Sequence, residues 1–102
     1  MAYIIRKIGS SHEVVLADSF KASDKAVVRE LSDVFSHASG GCRCVLNMER
    51  LKSVDFDGLE MLILLSDMAQ SKDVRLTIRR PHGQVKEMLD LAGIDKIIPI
   101  ET

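Results

Sequence analysis

Short apolar segments recur along the chain, and each is bounded by residues that favour turns. In 74–78 apolar and polar residues alternate, which is typical of a strand with one buried side. In 42–48 nearly every residue is apolar, as expected of a strand covered on both faces. The glycine and serines of 9–11 favour a hairpin between the first two segments. The predicted strands are 3–8, 13–17, 42–48, 74–78 and 96–100.

Longer segments between these strands have helical periodicity. From Val27 to Ala38 the apolar residues are spaced so that they share one helical face. Ser23 or Asp24 can cap this helix, and Gly93 suits the end of the last one. The predicted helices are 24–38, 58–71 and 84–92, with a loop over 49–56 before the second.

The resulting order, β-β-α-β-α-β-α-β, predicts an α/β fold with one mixed sheet and three helices. Each strand–helix–strand crossover implies parallel neighbouring strands and a right-handed connection. A length of 102 residues suits one domain, so we expect 1–102 to form a single domain.

The composition of the chain argues against binding to nucleic acid and against insertion into a membrane. The formal net charge is −1 and only four residues are aromatic, which argues against a nucleic-acid platform. The N-terminus lacks the apolar region of a signal peptide, and the most apolar run, 61–65, is far too short to span a bilayer. We therefore expect a cytoplasmic protein that does not insert into membranes.

Cys42 and Cys44 lie two residues apart, which on a strand places both on one face. They could be a redox pair or half of a metal site, or they could be small buried apolar residues. The histidines are scattered, at His12, His37 and His82, so no second pair at ligand spacing exists. This favours the structural interpretation.

Three carboxylates, Asp55, Asp57 and Glu60, cluster where the second helix is predicted to begin. A divalent-cation site is one interpretation. The other is a capping box, with Asp57 as N-cap and Glu60 three residues later, which explains two of the acids without a ligand. We favour the capping box, predict no metal, and leave Asp55 without a role.

The second helix has more apolar residues than one buried face needs. Leu59 and Ile63 lie outside its main apolar arc, which favours either a partner surface or an unusually wide core contact. Both interpretations stay open at this point. The arc itself consists of Met61, Leu62, Leu64, Leu65, Met68 and Ala69.

No catalytic signature is visible. The glycines do not form a phosphate-binding loop, and no serine or cysteine lies in a nucleophile motif. We expect neither enzymatic activity nor a cofactor.

Four stretches of the chain form a recognisable set: Val-Leu-Asn-Met at 45–48, Leu-Lys-Ser-Val-Asp at 51–55, Gly-Leu-Glu-Met-Leu at 58–62 and the run 85–99. This set resembles the STAS domain family, specifically bacterial anti-sigma-factor antagonists. Together the four stretches cover slightly over half of the chain. The resemblance implies the same α/β fold and a partner surface on the second helix. The contacts it implies by position are Asp55, Phe56, Asp57, Gly58, Leu59 and Ile63.

Two segments depart from the family pattern. The resemblance implies a phosphorylated Ser or Thr after the aspartate, but Phe56 occupies that position and Asp57 replaces a usually small residue. The segment before the first helix, 18–21, also differs. We therefore predict that the usual phosphoswitch is absent.

The resemblance implies a non-enzymatic module that binds a kinase-like anti-sigma factor or a related signalling protein in transcriptional regulation. One alternative is a cytoplasmic accessory subunit of a membrane transport system for lipids or anions. Another is a structural subunit of a sensory assembly. Self-association into a homo-oligomer is left open.

Overall fold

The computed structural model describes residues 2–38 and 40–101. Its secondary structure follows the predicted order β-β-α-β-α-β-α-β, with one 3₁₀ turn (Ile94–Lys96) before the last strand. The strands are β1 (Ala2–Ile8), β2 (Ser11–Phe20), β3 (Arg43–Val54), β4 (Arg75–Arg79) and β5 (Ile100–Glu101). The helices are α1 (Lys25–Ser36), α2 (Phe56–Ser71) and α3 (Gly83–Ala92). The predicted fold class is confirmed.

The five strands form one mixed sheet in the order β1-β2-β3-β4-β5. β1 pairs with β2 antiparallel, and the remaining pairs are parallel. Because successive parallel strands advance in one direction, right-handed connections place all three helices on the same side of the sheet. Side chains from this side and from the helices form a single buried apolar cluster.

The apolar face predicted for the first helix is confirmed, and the third helix also buries one apolar face. α1 buries Val27, Leu31 and Phe35, and α3 buries Val85 and Leu89. Gly93 ends α3 in a left-handed conformation, where a residue without a side chain avoids strain. Asp24 is at the N-cap of α1, but its carboxylate accepts a hydrogen bond from the backbone N–H of Lys21.

The end of β3 differs from the prediction. The expected loop over 49–56 is wrong, because β3 continues through Leu51 to Val54 and both of these side chains are buried. The pairing with β2 shifts register twice, once at Met48 and Glu49 and once at Lys52, so that β3 accommodates extra residues while Arg50 still pairs with Ala17. The last strand is shorter than expected, because the 3₁₀ turn takes up part of 96–100.

The other side of the sheet is not covered by any element within 2–38 and 40–101. Here the expectation that β3 is covered on both faces is wrong, although Val45 on this side is still buried. On this side of the sheet, ion pairs connect side chains of neighbouring strands. Glu13 bonds Arg6 and lies 3.6 Å from Arg79, while Glu101 bonds both Arg79 and Arg43.

Glu13 is the least exposed acid of this ion-paired face. The Asn47 amide, 3.3 Å from its carboxylate, and the guanidinium groups of Arg6 and Arg79 hold the pKa of Glu13 below its ordinary value. The side chains of this network shield the sheet from water. We call this side the open face of the sheet.

The two cysteines are free thiols on the covered side. Cys44 is buried in the core cluster, and burial raises the pKa of its thiol to about 12. A thiol with so high a pKa is protonated at neutral pH and is a poor nucleophile or metal ligand.

None of the helices in the described ranges is long and apolar enough to cross a membrane.

Candidate functional site

The start of α2 is held in place by an aspartate. β3 ends at Val54, and Asp55 follows as the N-cap with extended backbone angles. Its carboxylate oxygen Oδ1 accepts a hydrogen bond of 2.8 Å from the backbone N–H of Gly58. Its own N–H donates to the carbonyl of Phe20, at the end of β2, over 3.3 Å. The helix start is therefore tied to two strands.

Gln84, in the first turn of α3, ties the same corner to a third element. Its side-chain amide donates to the Val54 carbonyl over 3.1 Å and accepts from the Val54 N–H over 3.0 Å. This pair of bonds satisfies both backbone groups of the residue before the cap. The ends of β2 and β3 and the starts of α2 and α3 thus meet in one hydrogen-bonded junction.

The assignment of Asp57 as N-cap is wrong, because the helix begins two residues earlier than predicted. The third helical position is Gly58, and its backbone N–H donates the capping bond to the Asp55 carboxylate. A glycine at this position cannot provide the reciprocal glutamate of a capping box. Asp57 lies in the first turn, where a negative charge favours the helix dipole. This gives Asp55 the role that the sequence left unassigned.

Replacing Asp55 with alanine should lower the free energy of unfolding by about 1 kcal/mol, the usual effect of losing an N-cap side chain. Asp57→Ala is the matched control. It removes an exposed carboxylate two residues away and should cost less than about 0.5 kcal/mol. Urea denaturation of both variants measures the difference, and equal losses would contradict the cap at Asp55.

The exposed side of α2 carries three large apolar residues. Phe56 is 77% exposed, Leu64 50% and Ile63 36%. Spacings of seven and eight residues place Ile63 and Leu64 two turns beyond Phe56 on the same side of the helix. Large exposed apolar groups that share one side of a helix are candidates for contact with a partner. We refer to Phe56, Ile63 and Leu64, together with the acids Asp57, Glu60 and Asp67 of the same helix, as the α2 surface.

The expectation that Leu59 lies outside the core is wrong. Its side chain is only 4% exposed and belongs to the buried cluster, and Gly58 beside it is buried as well. Of the six positions assigned to partner contact, Asp55, Phe56, Asp57 and Ile63 are thus available at the surface, whereas Gly58 and Leu59 face inward. Leu64, which was assigned to the core arc, is exposed instead.

The charge of the α2 surface has one sign. α2 contains Asp57, Glu60 and Asp67 and no lysine or arginine. A shallow groove of about 390 Å³ follows its N-terminal half, between Leu64 and Lys25 of α1. A second, of about 510 Å³, lies at its C-terminal half beside Ile97. The surface is therefore an apolar ridge with acidic neighbours and a groove at each end.

Nothing in the described ranges offers metal chemistry at this site. No group of three or more histidine, cysteine, aspartate or glutamate side chains within 2–38 and 40–101 is arranged to hold a metal ion. The carboxylate of Asp55 is engaged with its own helix. What the geometry offers is a rigidly mounted, partly apolar contact surface.

A family model described as Mlab, STAS domain matches residues 8–99 of the chain. No significant match was found among curated proteins.

Solved structures share the fold at low sequence identity. One is unphosphorylated SpoIIAA, an anti-sigma factor antagonist and Bacillus cell-fate determinant, with a TM-score of 0.83, 14% identity and coverage of 99% of this chain and 89% of that one. An anti-sigma factor antagonist from Mycobacterium paratuberculosis matches with a TM-score of 0.78 and 14% identity, over 98% of this chain and 84% of that one. A sulfate transporter family protein from Wolinella succinogenes matches with a TM-score of 0.74 and 13% identity, over 87% of this chain and 71% of that one.

Proposed function

Because the chain belongs to the STAS domain family, we propose that it is a non-enzymatic interaction module that binds a protein partner through the α2 surface. The observation that carries this proposal is Phe56. An aromatic side chain that is 77% exposed lies on the first turn of a helix fixed by hydrogen bonds to neighbouring elements. Aromatic residues at such positions are common anchors of protein interfaces.

The proposed partner is a kinase-like anti-sigma factor or a related signalling protein in the cytoplasm. Its contact surface would be apolar at the centre and basic at the edge, since α2 presents acids and no cation. Phe56 and Ile63 would fill apolar recesses, and Asp57 would lie near the basic edge. Asp55 would act indirectly, by fixing the helix start.

The proposed module has no phosphoswitch at the position after Asp55. Phosphorylation acts by adding nearly two negative charges at one hydroxyl, and the Phe56 ring has no hydroxyl. Instead, Phe56 offers permanent apolar contact, so the module would stay in its binding state. Ser19 and Ser53, which pair across β2 and β3, are half-buried and lie outside the motif position.

The test is binding to a partner isolated by pull-down from the native cell and identified by mass spectrometry. Phe56→Ala should raise the dissociation constant by about 30-fold or more, the effect of removing an interface anchor. The matched control is Leu91→Ala, because Leu91 is an exposed aliphatic residue on α3, away from the α2 surface.

Neither substitution should change the melting temperature appreciably, because both side chains face solvent. Unchanged binding by Phe56→Ala would exclude the α2 surface as the main contact. Stoichiometric phosphorylation within 53–66 by the partner with ATP, coupled to loss of binding, would exclude the constitutive state.

A second candidate function is an accessory subunit of a membrane transport system. Two observations favour it: the matching family model is of the Mlab type, and Phe56 removes the hydroxyl on which a phosphoswitch depends. The pull-down separates the two functions. Co-purification with an ATPase and permease supports the transport role, and co-purification with a soluble kinase-like protein supports the signalling role.

A further inference from the structure

β1 is an edge strand, and no strand within 2–38 and 40–101 pairs with its outer side. It lies at one end of the sheet and pairs with β2 over all seven residues without a shift of register. Ile4 and Ile8, on the open face, are each 61% exposed. The opposite edge is different, because β5 has only two residues and follows Pro99, and both features discourage pairing.

We propose that β1 pairs with β1 of a second copy of this chain, in an antiparallel register centred on Ile5. In this two-fold register, β1 of one copy pairs with β1 of the other along its whole length, from Ala2 to Ile8. The row of backbone N–H and C=O groups that faces solvent in one copy is then hydrogen bonded to the other. The two sheets become one sheet of ten strands.

Charge favours this occupant and this register. The two cations of β1 are never directly opposite a cation: Arg6 lies opposite Ile4 of the second copy, and Lys7 lies opposite Tyr3. The two Arg6 side chains meet only diagonally, and each is paired with Glu13 of its own copy at 2.6 Å. The Tyr3 hydroxyl donates to Glu30 of α1 over 2.7 Å. Lys7 of one copy is thereby brought beside the Tyr3–Glu30 pair of the other, twice per dimer. Opposite charges across paired strands are stabilising, and like charges are not.

The dimer would be weak and would leave the α2 surface free. Two seven-residue strands bury less than a standard stable interface, so dissociation in the micromolar range or above is expected. α1 lies over the β1 side of the sheet through Tyr3, whereas α2 packs over β4. If the proposed function holds, the dimer presents two α2 surfaces, and a partner with two binding sites would gain avidity.

Sedimentation velocity of the purified chain without any partner tests the dimer independently of the proposed function. The wild type should shift from monomer to dimer as concentration rises to the order of 1 mM. Ile4→Lys places a cation opposite Arg6 and should raise the dissociation constant about tenfold. Ile4→Glu, at the same exposed position, should leave it unchanged or lower it.

Two further measurements fix the location. Amide hydrogen exchange of 2–8 should slow as concentration rises. Lys7→Glu should weaken the dimer, and adding Glu30→Lys should restore it. A monomer at every concentration overturns the proposal, as does a dimer that Ile63→Arg on α2 disrupts while Ile4→Lys leaves it intact. Failure of the charge exchange to restore dimerisation overturns the register on which the proposal rests.

Discussion

Leu59→Arg is expected to unfold most of the protein, with a loss of about 4 kcal/mol or more in the free energy of unfolding. Leu59 is 4% exposed and lies in the apolar cluster between α2 and the sheet. An arginine there would bury a guanidinium group without an anion, or force the helix away from the sheet. A loss of this size is a large part of the 5–15 kcal/mol that small domains possess.

Ile63→Arg is the matched control, four residues along the same helix. Ile63 is 36% exposed and points away from the core cluster, so its arginine can reach water. The cost should stay near 1 kcal/mol, measured by urea denaturation. Leu59→Met tests whether the loss comes from the buried charge or from any change of side chain at this position. A volume-conserving exchange in a core costs less than about 1.5 kcal/mol. A folded Leu59→Arg variant with wild-type stability would show that Leu59 is not a core residue.

The fold could be predicted from sequence because most of its elements are amphipathic with one clear period. The face of α1 is set by Val27, Leu31 and Phe35, with polar residues between them, and only one orientation buries all three. β4 alternates strictly, with Leu76 and Ile78 inward. Local pattern and tertiary packing agree in these elements, so the pattern is sufficient.

The second half of β3 could not be predicted in this way. Glu49, Arg50 and Lys52 are polar residues typical of a loop. The strand continues because pairing with β2 shifts register there, which turns these side chains outward while Leu51 and Val54 stay buried. A shift of register depends on the partner strand, and no periodicity in β3 alone records it.

The α2 surface was only half predictable, because α2 is apolar nearly all round. Leu62 and Leu65 are buried, but Ile63 and Leu64 between them are exposed. When both sides of a helix are apolar, the pattern does not say which side faces the sheet. Starting the helix at Gly58 instead of Phe56 also moved the expected cap from Asp55 to Asp57.

The prediction that best tests the junction beneath Phe56 is Gly58→Ala, with an expected loss of about 2 kcal/mol in the free energy of unfolding. A Cβ at Gly58 would lie 2.4 Å from the carbonyl oxygen of Phe20 and 2.7 Å from a Val54 methyl group. The first of these atoms is backbone and cannot rotate away. Overpacking of this kind usually costs 1–3 kcal/mol, and the better helix propensity of alanine offsets at most about 1 kcal/mol of the clash.

Gly40→Ala is the matched control for Gly58→Ala. Its Cβ would approach only the Asp73 carboxylate, at 3.0 Å, which is the free end of a side chain and can turn aside. The control should therefore lose less than about 1 kcal/mol in urea denaturation. Because α2 must tilt or slide to admit a Cβ at Gly58, Gly58→Ala should also lengthen the Asp55 capping bond and displace Phe56. If Gly58→Ala keeps wild-type stability, α2 does not pack against the end of β2 as closely as the 2.4 Å between the added Cβ and the Phe20 carbonyl oxygen implies. That result would also contradict the rigid attachment of the α2 surface to the sheet.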